Sequence, residues 1–413
     1  MDNNNNALAT TTMPDEVCTQ ILQHLTNDDK QAAYVSKQFL RAWRAGVVGL
    51  RFHVPAPLSN GSLLHRQPFG NYPNLKFIHS ANDRDDIGLP YLVGSQDLIE
   101  KQLALKIKVS VSLSLYFKED RELIEAYEFL KGNPELAKQV TSLSILTFER
   151  EDIFYKLLAL LPNLMTLEAN YIECLTDEGL KALGTSPHLA HLHLVSPPTP
   201  EGDATLAKLG QLSTLKTLNI SNAWEVSGAW LESVVDGIPG LESLRLHIAD
   251  ENFSASNLKY LSGAKNLQTL TLVGPKSRVN GIVDADPLLP LSDCTSLVLL
   301  NLVDCPMTGS ALAQFSEIFP HLETLNLYQK SALLGHQLSS LYGMKQLQRL
   351  CMVGEHLRID QQDAEKLATA LPMATDIRIP MGSDEARQWP IVMSNGSGNP
   401  VVITGHTDLG SFF

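Results

Sequence analysis

A short apolar pattern recurs ten times in this chain and constrains its fold more than any other feature. In residues 294–305, CTSLVLLNLVDC, Leu297, Leu300 and Leu302 follow the spacing Leu-x-x-Leu-x-Leu. This spacing is typical of an extended strand with one buried face. One such strand cannot bury that face alone, so copies must stack on both sides of it. The ten copies start at Val140, Leu164, Leu189, Leu215, Leu241, Leu267, Leu297, Leu322, Leu347 and Ala374.

The interval between successive copies predicts a solenoid. The starts are 24 to 27 residues apart, except for 30 residues between Leu267 and Leu297. Leucine-rich repeats have periods of about 20 to 29 residues. Between the strands lie apolar residues at helical spacing, such as Leu180 and Leu183. We therefore predict an α/β leucine-rich-repeat solenoid over residues 140–382, a horseshoe with a parallel sheet on its concave face.

Two segments carry a more specific resemblance. LTDEGLKALGTSPHLAHLHL and CTSLVLLNLVDC resemble the cysteine-containing leucine-rich repeats of F-box proteins, in which a cysteine follows the strand. In this chain a cysteine stands at that place only in one repeat, as Cys305.

Residues 13–52 predict a small helical domain. Their apolar residues recur at the spacing of short amphipathic helices, and Pro14 followed by two acidic residues is a favourable helix start. The segment resembles the F-box, whose pattern opens with Leu-Pro-x-Glu, continues with Ile-Leu-x-x-Leu and closes with Val-Ser-Lys and an aromatic residue. The resemblance implies docking on the Skp adaptor of SCF-type cullin-RING ubiquitin ligases through Pro14, Glu16, Ile21, Leu22, Leu25, Val35 and Phe39.

The same segment departs from the F-box pattern at three points. Met13 replaces leucine, Lys30 stands near an apolar position, and the interval from Leu25 to Val35 is about one residue short. The alternative interpretation is a helical cap that closes the open end of the solenoid, because terminal repeats need capping.

The remaining segments predict less regular structure. Residues 1–12 are rich in Asn and Thr, which predicts a disordered tail. Residues 53–139 predict an irregular linker with degenerate early repeats, including a half-buried strand within 107–115. Residues 383–413 predict a C-terminal cap formed by a hairpin around a Gly/Asn-rich turn, with a disordered tail as the alternative.

The extra residues of the longest repeat, 274–286, predict a loop at one rim, often the binding rim of a solenoid.

The composition restricts the classes of partner and the cellular compartment that we expect for the protein. The formal charge of -13 argues against nucleic acid and anionic membranes, which bind clustered Lys and Arg. Five cysteines without a CxxC pair are typical of a reducing compartment. The first residues lack the features of a secretory signal, and no apolar run approaches membrane-spanning length. We expect a cytoplasmic or nuclear protein.

No catalytic motif is present in the sequence. The chain lacks GxSxG, HExxH, P-loop and GxGxxG patterns. We therefore expect a protein that is not an enzyme, with no cofactor and no metal site. The alternative is a metal or catalytic site at His191, His193 and Glu168, although solvated residues lining a groove are the favoured interpretation of this cluster.

The alternation of strand residues predicts the exposed face of the sheet. The third, fifth and seventh residues of each repeat should point into the concavity, away from the core. Among them, we expect the following to bind a protein client: Arg245, His247, Val273, Leu299, Asn301, Val303, Asn326, Tyr328, Arg349 and Val353.

An apolar row within this face is the reason for that expectation. Contiguous exposed apolar side chains usually mark an interaction site. The alternative is that the loop after Gly274 or the C-terminal segment folds over the row. If clients carry a phosphate, Arg245, Arg349 and Arg378 are the residues suited to binding it.

These observations lead to a functional hypothesis. The resemblance implies a substrate-recognition subunit of an SCF-type ubiquitin ligase, in which the F-box-like segment docks the adaptor and the concave face binds a protein for ubiquitination. One alternative is a leucine-rich interaction scaffold outside the ubiquitin system. Another is a microbial effector that mimics a host F-box protein.

Overall fold

The structure is a computed structural model that describes most of the chain after residue 110 and two short strands before it. The described residues are 49–54, 77–82, 110–117, 120–145, 150–170, 177–195, 203–223, 226–248, 255–274, 286–305, 312–329, 335–354, 361–380, 391–395 and 397–406. The chain divides into two compact units, Met1–Leu164 and Met165–Phe413. The division falls inside the segment predicted as one repeat array.

The described residues of unit 1 form four strands that pair in parallel in chain order. They are β1 (Gly49–Val54), β2 (Phe77–Asn82), β3 (Ser110–Phe117) and β4 (Val140–Ile145). The parallel ladder therefore begins well before residue 140, and β1 crosses the boundary predicted at residue 52.

Three helices in the described part of unit 1 return the chain between strands. They are α1 (Asp120–Gly132), α2 (Pro134–Ala137) and α3 (Glu151–Leu158). The first helix buries Leu123, Ala126 and Leu130, which lie on one face at helical spacing. Acidic residues in its first turn and Lys131 in its last turn complement the helix dipole.

Within the ranges given above, unit 2 forms nine strands that pair in parallel in chain order, followed by a hairpin. The nine are β5 (Thr166–Asn170), β6 (His191–Val195), β7 (Thr217–Ala223), β8 (Ser243–Ile248), β9 (Thr269–Val273), β10 (Leu299–Val303), β11 (Thr324–Gln329), β12 (Arg349–Gly354) and β13 (Asp376–Pro380). The hairpin consists of β14 (Ile391–Ser394) and β15 (Pro400–His406), which are antiparallel to each other, and β15 also pairs in parallel with β13. These two strands coincide with the two apolar runs from which the hairpin was predicted.

Short helical segments connect the strands of unit 2. The α-helices are α4 (Asp177–Gly184), α5 (Asp203–Ala207), α6 (Trp230–Gly237), α7 (Phe315–Ile318) and α8 (Gln361–Ala370). The 3₁₀ helices cover Lys208–Gln211, Ala255–Gly263, Asp286–Asp293 and Gly335–Gly343. A 3₁₀ helix rises about 2.0 Å per residue and an α-helix about 1.5 Å. A 3₁₀ helix therefore needs fewer residues to return the chain from the end of one strand to the start of the next.

The first apolar residue of each repeat anchors the core. All ten start residues are buried, and Leu297 is the most exposed of them at 3 %. In β10, Leu300 and Leu302 are buried while the residues between and beside them are partly exposed. The alternation predicted from the spacing is therefore present, and the parallel repeat architecture is confirmed.

One backbone pattern recurs at the entry to successive strands of unit 2. The amides of Ala190 and His191 both donate to the Met165 carbonyl, at 2.9 Å each. Lys216 and Thr217 donate in the same way to the Ala190 carbonyl, at 2.8 and 2.9 Å. The same pattern recurs in each repeat up to Thr375 and Asp376, which both donate to the Gln348 carbonyl. One carbonyl of each repeat therefore fixes where the next strand begins.

Polar side chains also link neighbouring repeats. The Thr214 hydroxyl donates to the Leu189 carbonyl at 2.8 Å, and the Asn266 amide donates to the Pro239 carbonyl at 2.8 Å. Asp203, at the start of α5, accepts hydrogen bonds from the Ser227 amide and hydroxyl and from the Gly228 amide. These bonds supply partners for loop backbone groups that no strand neighbour would satisfy.

Two features predicted from the sequence lie outside the described residues. The predicted adaptor-binding residues Pro14, Glu16, Ile21, Leu22, Leu25, Val35 and Phe39 are among them. So is most of the loop predicted at 274–286, of which Gly274 and Asp286 alone are described.

Candidate functional site

The exposed face of the unit 2 sheet carries a central row of side chains in register. Pairing between neighbouring strands aligns the fifth residue of each repeat across the sheet. We call these residues the central row: Glu168, His193, Asn219, Arg245, Thr271, Asn301, Asn326, Cys351 and Arg378.

A groove of about 710 Å³ lies over strands β8 to β13 and includes six residues of the central row. A ligand site of this size is within the range that small molecules and peptide side chains occupy. The groove is lined by Arg245, Thr271, Leu299, Asn301, Val303, Thr324, Asn326, Tyr328, Arg349, Leu350, Cys351, Thr375, Asp376 and Arg378.

Most of the predicted client-binding residues belong to this groove. The seven that line it are Arg245, Leu299, Asn301, Val303, Asn326, Tyr328 and Arg349. Their role in binding stays a prediction. His247 and Val273 lie in register with each other on β8 and β9 but do not line the groove.

The burial of Val353 contradicts one part of the predicted apolar row. Val353 was predicted to be exposed, but only 5 % of its surface is accessible. Its register partner on β11 is Tyr328. Thr271, also predicted to face solvent, is 6 % exposed because it lies between Arg245 and Asn301 in the central row.

A chain of side-chain hydrogen bonds runs through the middle of the groove. The Asn326 amide donates to Asn301 Oδ1 at 2.6 Å, and the Asn301 amide donates to Thr271 Oγ1 at 2.8 Å. All three residues occupy the same register on successive strands. The two amides are therefore held in one orientation, and the floor of the groove is a preorganised polar strip.

The groove is positively charged although the chain is acidic. Its lining contains three arginines, Arg245, Arg349 and Arg378, against one acid, Asp376. The Arg378 Nε atom lies 3.0 and 3.3 Å from the two Asp376 oxygens, which orients that guanidinium. Since the whole chain carries a formal charge of -13, this face differs in sign from the molecule as a whole.

Burial keeps the described cysteine thiols protonated. It raises the pKa of Cys351, in the groove, to about 11, although nearby Arg378 lowers it somewhat. It likewise raises the pKa of Cys294 to about 11 and that of Cys305 to about 12. A thiol is a nucleophile only when ionised, so these three cysteines act as small apolar residues at neutral pH.

The cluster weighed as a metal or catalytic site is divided between two rows of the sheet. Glu168 Oε1 lies 3.7 Å from His193 Nδ1, beyond hydrogen-bonding distance, and His193 Nε2 lies 3.4 Å from the Ser221 hydroxyl. His191 occupies a different row, in register with Thr166 and Thr217. Across the described part of the chain, no three His, Cys, Asp or Glu side chains are arranged to hold a metal ion.

The charge state of His193 depends on its neighbours. Burial lowers its pKa below the usual 6.5, Glu168 raises it, and Arg245 lowers it. His193 is therefore neutral at pH 7. Because the unfolded chain takes up the proton more readily, the contribution of His193 to stability is present above pH 6.5 and is lost as pH falls below it.

Replacing Arg245 with glutamine is expected to raise the pKa of His193. The reason is the loss of a positive charge beside the ring. A pH titration followed by NMR of the His193 ring measures the shift. Arg349→Gln is the control, since β12 lies six strands from β6, about 29 Å, well beyond the screening length of about 10 Å at 0.1 M salt. An unchanged titration in Arg245→Gln would show that this arginine does not reach His193.

Five residues of the groove were missing from the sequence analysis. Thr324, Cys351 and Asp376 stand at third or fifth positions, which the alternation places on the exposed face, but they were not singled out as binding residues. Thr375 and Leu350 break the alternation, and no periodic signal marks them.

These features define the class of the protein: unit 2 is a repeat array of parallel strands whose exposed face carries a polar, positively charged groove. Among the described residues, no helix is long and apolar enough to cross a membrane. No family model matches the sequence, and no curated protein matches it.

Solved structures do show a similarity. The chain is similar to a structure described as the crystal structure of the Rad7 and Elc1 complex in yeast, at 16 % sequence identity and a TM-score of 0.39. The match covers 93 % of this chain and 96 % of the other. A similarity this low assigns neither a family nor a partner to the chain.

Proposed function

We propose that the chain is a non-catalytic substrate receptor of an SCF-type ubiquitin ligase. In this proposal residues 13–52 dock the Skp adaptor, and the exposed face of unit 2 binds the protein to be ubiquitinated. The receptor then acts by proximity, since it holds client lysines near the conjugating enzyme. The proposal places the protein in the cytoplasm or nucleus.

The observation that carries the client-binding half is the groove on the unit 2 sheet. It combines fixed polar groups, such as Asn301, with the apolar side chains of Leu299 and Val303. Binding sites are concave surfaces of this kind, where apolar contacts supply affinity and a few placed polar groups supply specificity. The adaptor-binding half is supported by the F-box-like residue pattern alone.

Replacing both Pro14 and Leu25 with alanine is expected to abolish copurification with the Skp adaptor. Truncating a central interface anchor costs about 2 kcal/mol or more, roughly 30-fold in affinity, and two anchors are removed here. The measurement is size-exclusion chromatography of the full chain mixed with purified adaptor, followed by titration calorimetry.

The matched control replaces Arg121 and Lys131 with alanine. Both side chains are exposed on α1, at 84 % and 56 %, so this variant should bind the adaptor like the wild type. If the wild-type chain forms no complex with the adaptor, the ligase proposal is wrong. Residues 13–52 would then be the helical cap of a leucine-rich interaction scaffold.

A further inference from the structure

We propose that the groove binds an extended, acidic segment of the client, about seven residues long, with a carboxylate at each end. The inference rests on the proposed function, because it names the chemistry of the client. The placement of three arginines relative to the polar strip supports the inference.

The arginines lie at two ends of the groove. Arg245 stands on β8, whereas Arg349 and Arg378 stand on the neighbouring strands β12 and β13. Neighbouring strands are about 4.8 Å apart, so five steps from β8 to β13 cover about 24 Å. An extended chain advances about 3.4 Å per residue, which makes this span about seven residues. A segment crossing the strands can therefore reach both positive ends at once.

The two ends of the groove differ in how many arginines can bind one carboxylate. Arg349 and Arg378 are on adjacent strands, two residues apart along the strand direction, which places their Cα atoms about 8 Å apart. Two long side chains at this separation can converge on one carboxylate, and guanidinium groups bind carboxylates through paired hydrogen bonds. Asp376 orients Arg378 at 3.0 Å, so part of this arrangement is formed before a ligand arrives.

The middle of the groove suits the backbone and small side chains of such a segment. The strip of Thr271, Asn301 and Asn326 runs across the strands in the direction from Arg245 to Arg378. Leu299 lies to one side of it and Val303 to the other, two residues away along β10. A peptide lying on the strip would meet hydrogen-bonding groups beneath it and apolar contacts on both flanks.

Charge complementarity identifies the occupant. The lining has three positive charges and one negative charge, a net charge of +2, and Arg245 and Arg349 would lose solvation opposite an uncharged ligand without compensation from it. A basic or neutral segment is therefore disfavoured, and an acidic one is steered toward this face.

The test measures fluorescence anisotropy of labelled seven-residue peptides with the full chain. The first pool has glutamate at both ends and five mixed positions of Ala, Val, Leu, Ser and Asn between them. The second pool has the same composition with both glutamates at one end. In the third and fourth pools the glutamates are replaced by glutamine or by lysine.

We expect saturable binding of the first pool, at least fivefold weaker binding of the second, and none of the third or fourth. Raising the salt from 50 to 300 mM should weaken the binding several-fold, because Arg245 and Arg349 are exposed to solvent and Arg378 is only partly buried. Equal binding of the first two pools would overturn the two-ended arrangement. Binding of the glutamine pool would overturn the role of charge.

A pair of charge-reversed variants tests the residues. Arg245→Glu combined with Arg349→Glu should weaken binding of the first pool at least tenfold. Lys181→Glu combined with Lys259→Glu makes the same charge change at exposed positions of the connecting helices, and it should leave binding unchanged. Equal losses in both variants would show that net charge rather than the groove attracts the peptide, and would contradict the proposal.

The peptide result is independent of the adaptor. Binding is measured with the chain alone, so loss of Skp binding in the Pro14 and Leu25 variant cannot produce a false negative here. If the adaptor binds and the peptides do not, the groove proposal fails while the ligase proposal stands. If concentration-dependent dimers form through the arginines instead, the occupant is a second copy of this chain and the client proposal for this groove is wrong.

Discussion

Replacing Gly237 with alanine is expected to destabilise unit 2 by about 3 kcal/mol, at the upper end of what overpacking a core costs. Gly237 ends α6 against the preceding 3₁₀ helix, and a Cβ atom there would lie 2.7 Å from the Gly210 Cα atom and closer still to the Gly210 carbonyl. Both contacts are with backbone, which cannot rotate away as a side chain can. The two helical segments would have to separate.

Denaturation in urea, followed by circular dichroism, measures the effect. The matched control is Gly240→Ala, three residues further on, where no atom lies within 4 Å of the added Cβ. The control should be neutral or slightly stabilising, because alanine restricts the unfolded chain more than glycine does. If Gly237→Ala unfolds at the same urea concentration as Gly240→Ala, the close packing of α6 on its neighbour is wrong.

Replacing Asn395 with alanine is expected to destabilise the C-terminal hairpin by about 3 kcal/mol. The Asn395 side chain is buried and makes three hydrogen bonds to backbone. Its amide donates to the Ala374 carbonyl at 3.0 Å, and its Oδ1 accepts from the Ser397 and Asn399 amides at 3.0 and 2.9 Å. Each partner left unsatisfied costs about 1 to 3 kcal/mol, less where water can replace the lost bond.

Hydrogen exchange of the amides in β14 and β15 measures this change locally. Asn395→Asp is the informative companion, because it keeps the oxygen that accepts from the turn and loses the donor to Ala374. We expect exchange in this variant to be intermediate between the wild type and Asn395→Ala. Unchanged exchange in Asn395→Ala would mean that the β-sheet pairing alone holds the hairpin.

Much of the fold could be predicted from local spacing. The strand alternation around Leu300 and Leu302 follows from a two-residue period, and the burial of the start residues follows from the repeat interval. The 3₁₀ helices described in unit 2 were not predicted, because the choice between α and 3₁₀ geometry depends on the distance that the connecting segment must cover. The early ladder of β1 to β3 was recognised only in part, because its repeats lack the leucine spacing.

The groove was harder to predict than the sheet. Alternation places Arg245, Asn301 and Tyr328 on the exposed face. It does not predict how much of each side chain is buried by its neighbours. The burial of Val353 depends on tertiary packing that the alternation does not describe. The link from Asn326 through Asn301 to Thr271 depends likewise on a register that spans intervals of 30 and 25 residues.

The hairpin of β14 and β15 has a consequence for how copies of this chain behave in concentrated solution. A parallel ladder that simply stopped at β13 would present a row of unpaired amides and carbonyls, ready to accept a strand from another molecule. β15 occupies that row, and β14 then runs against it for only four residues. A short strand of reversed direction is a poor template for the parallel repeats of a second chain, so this end of the sheet is protected from fibre growth.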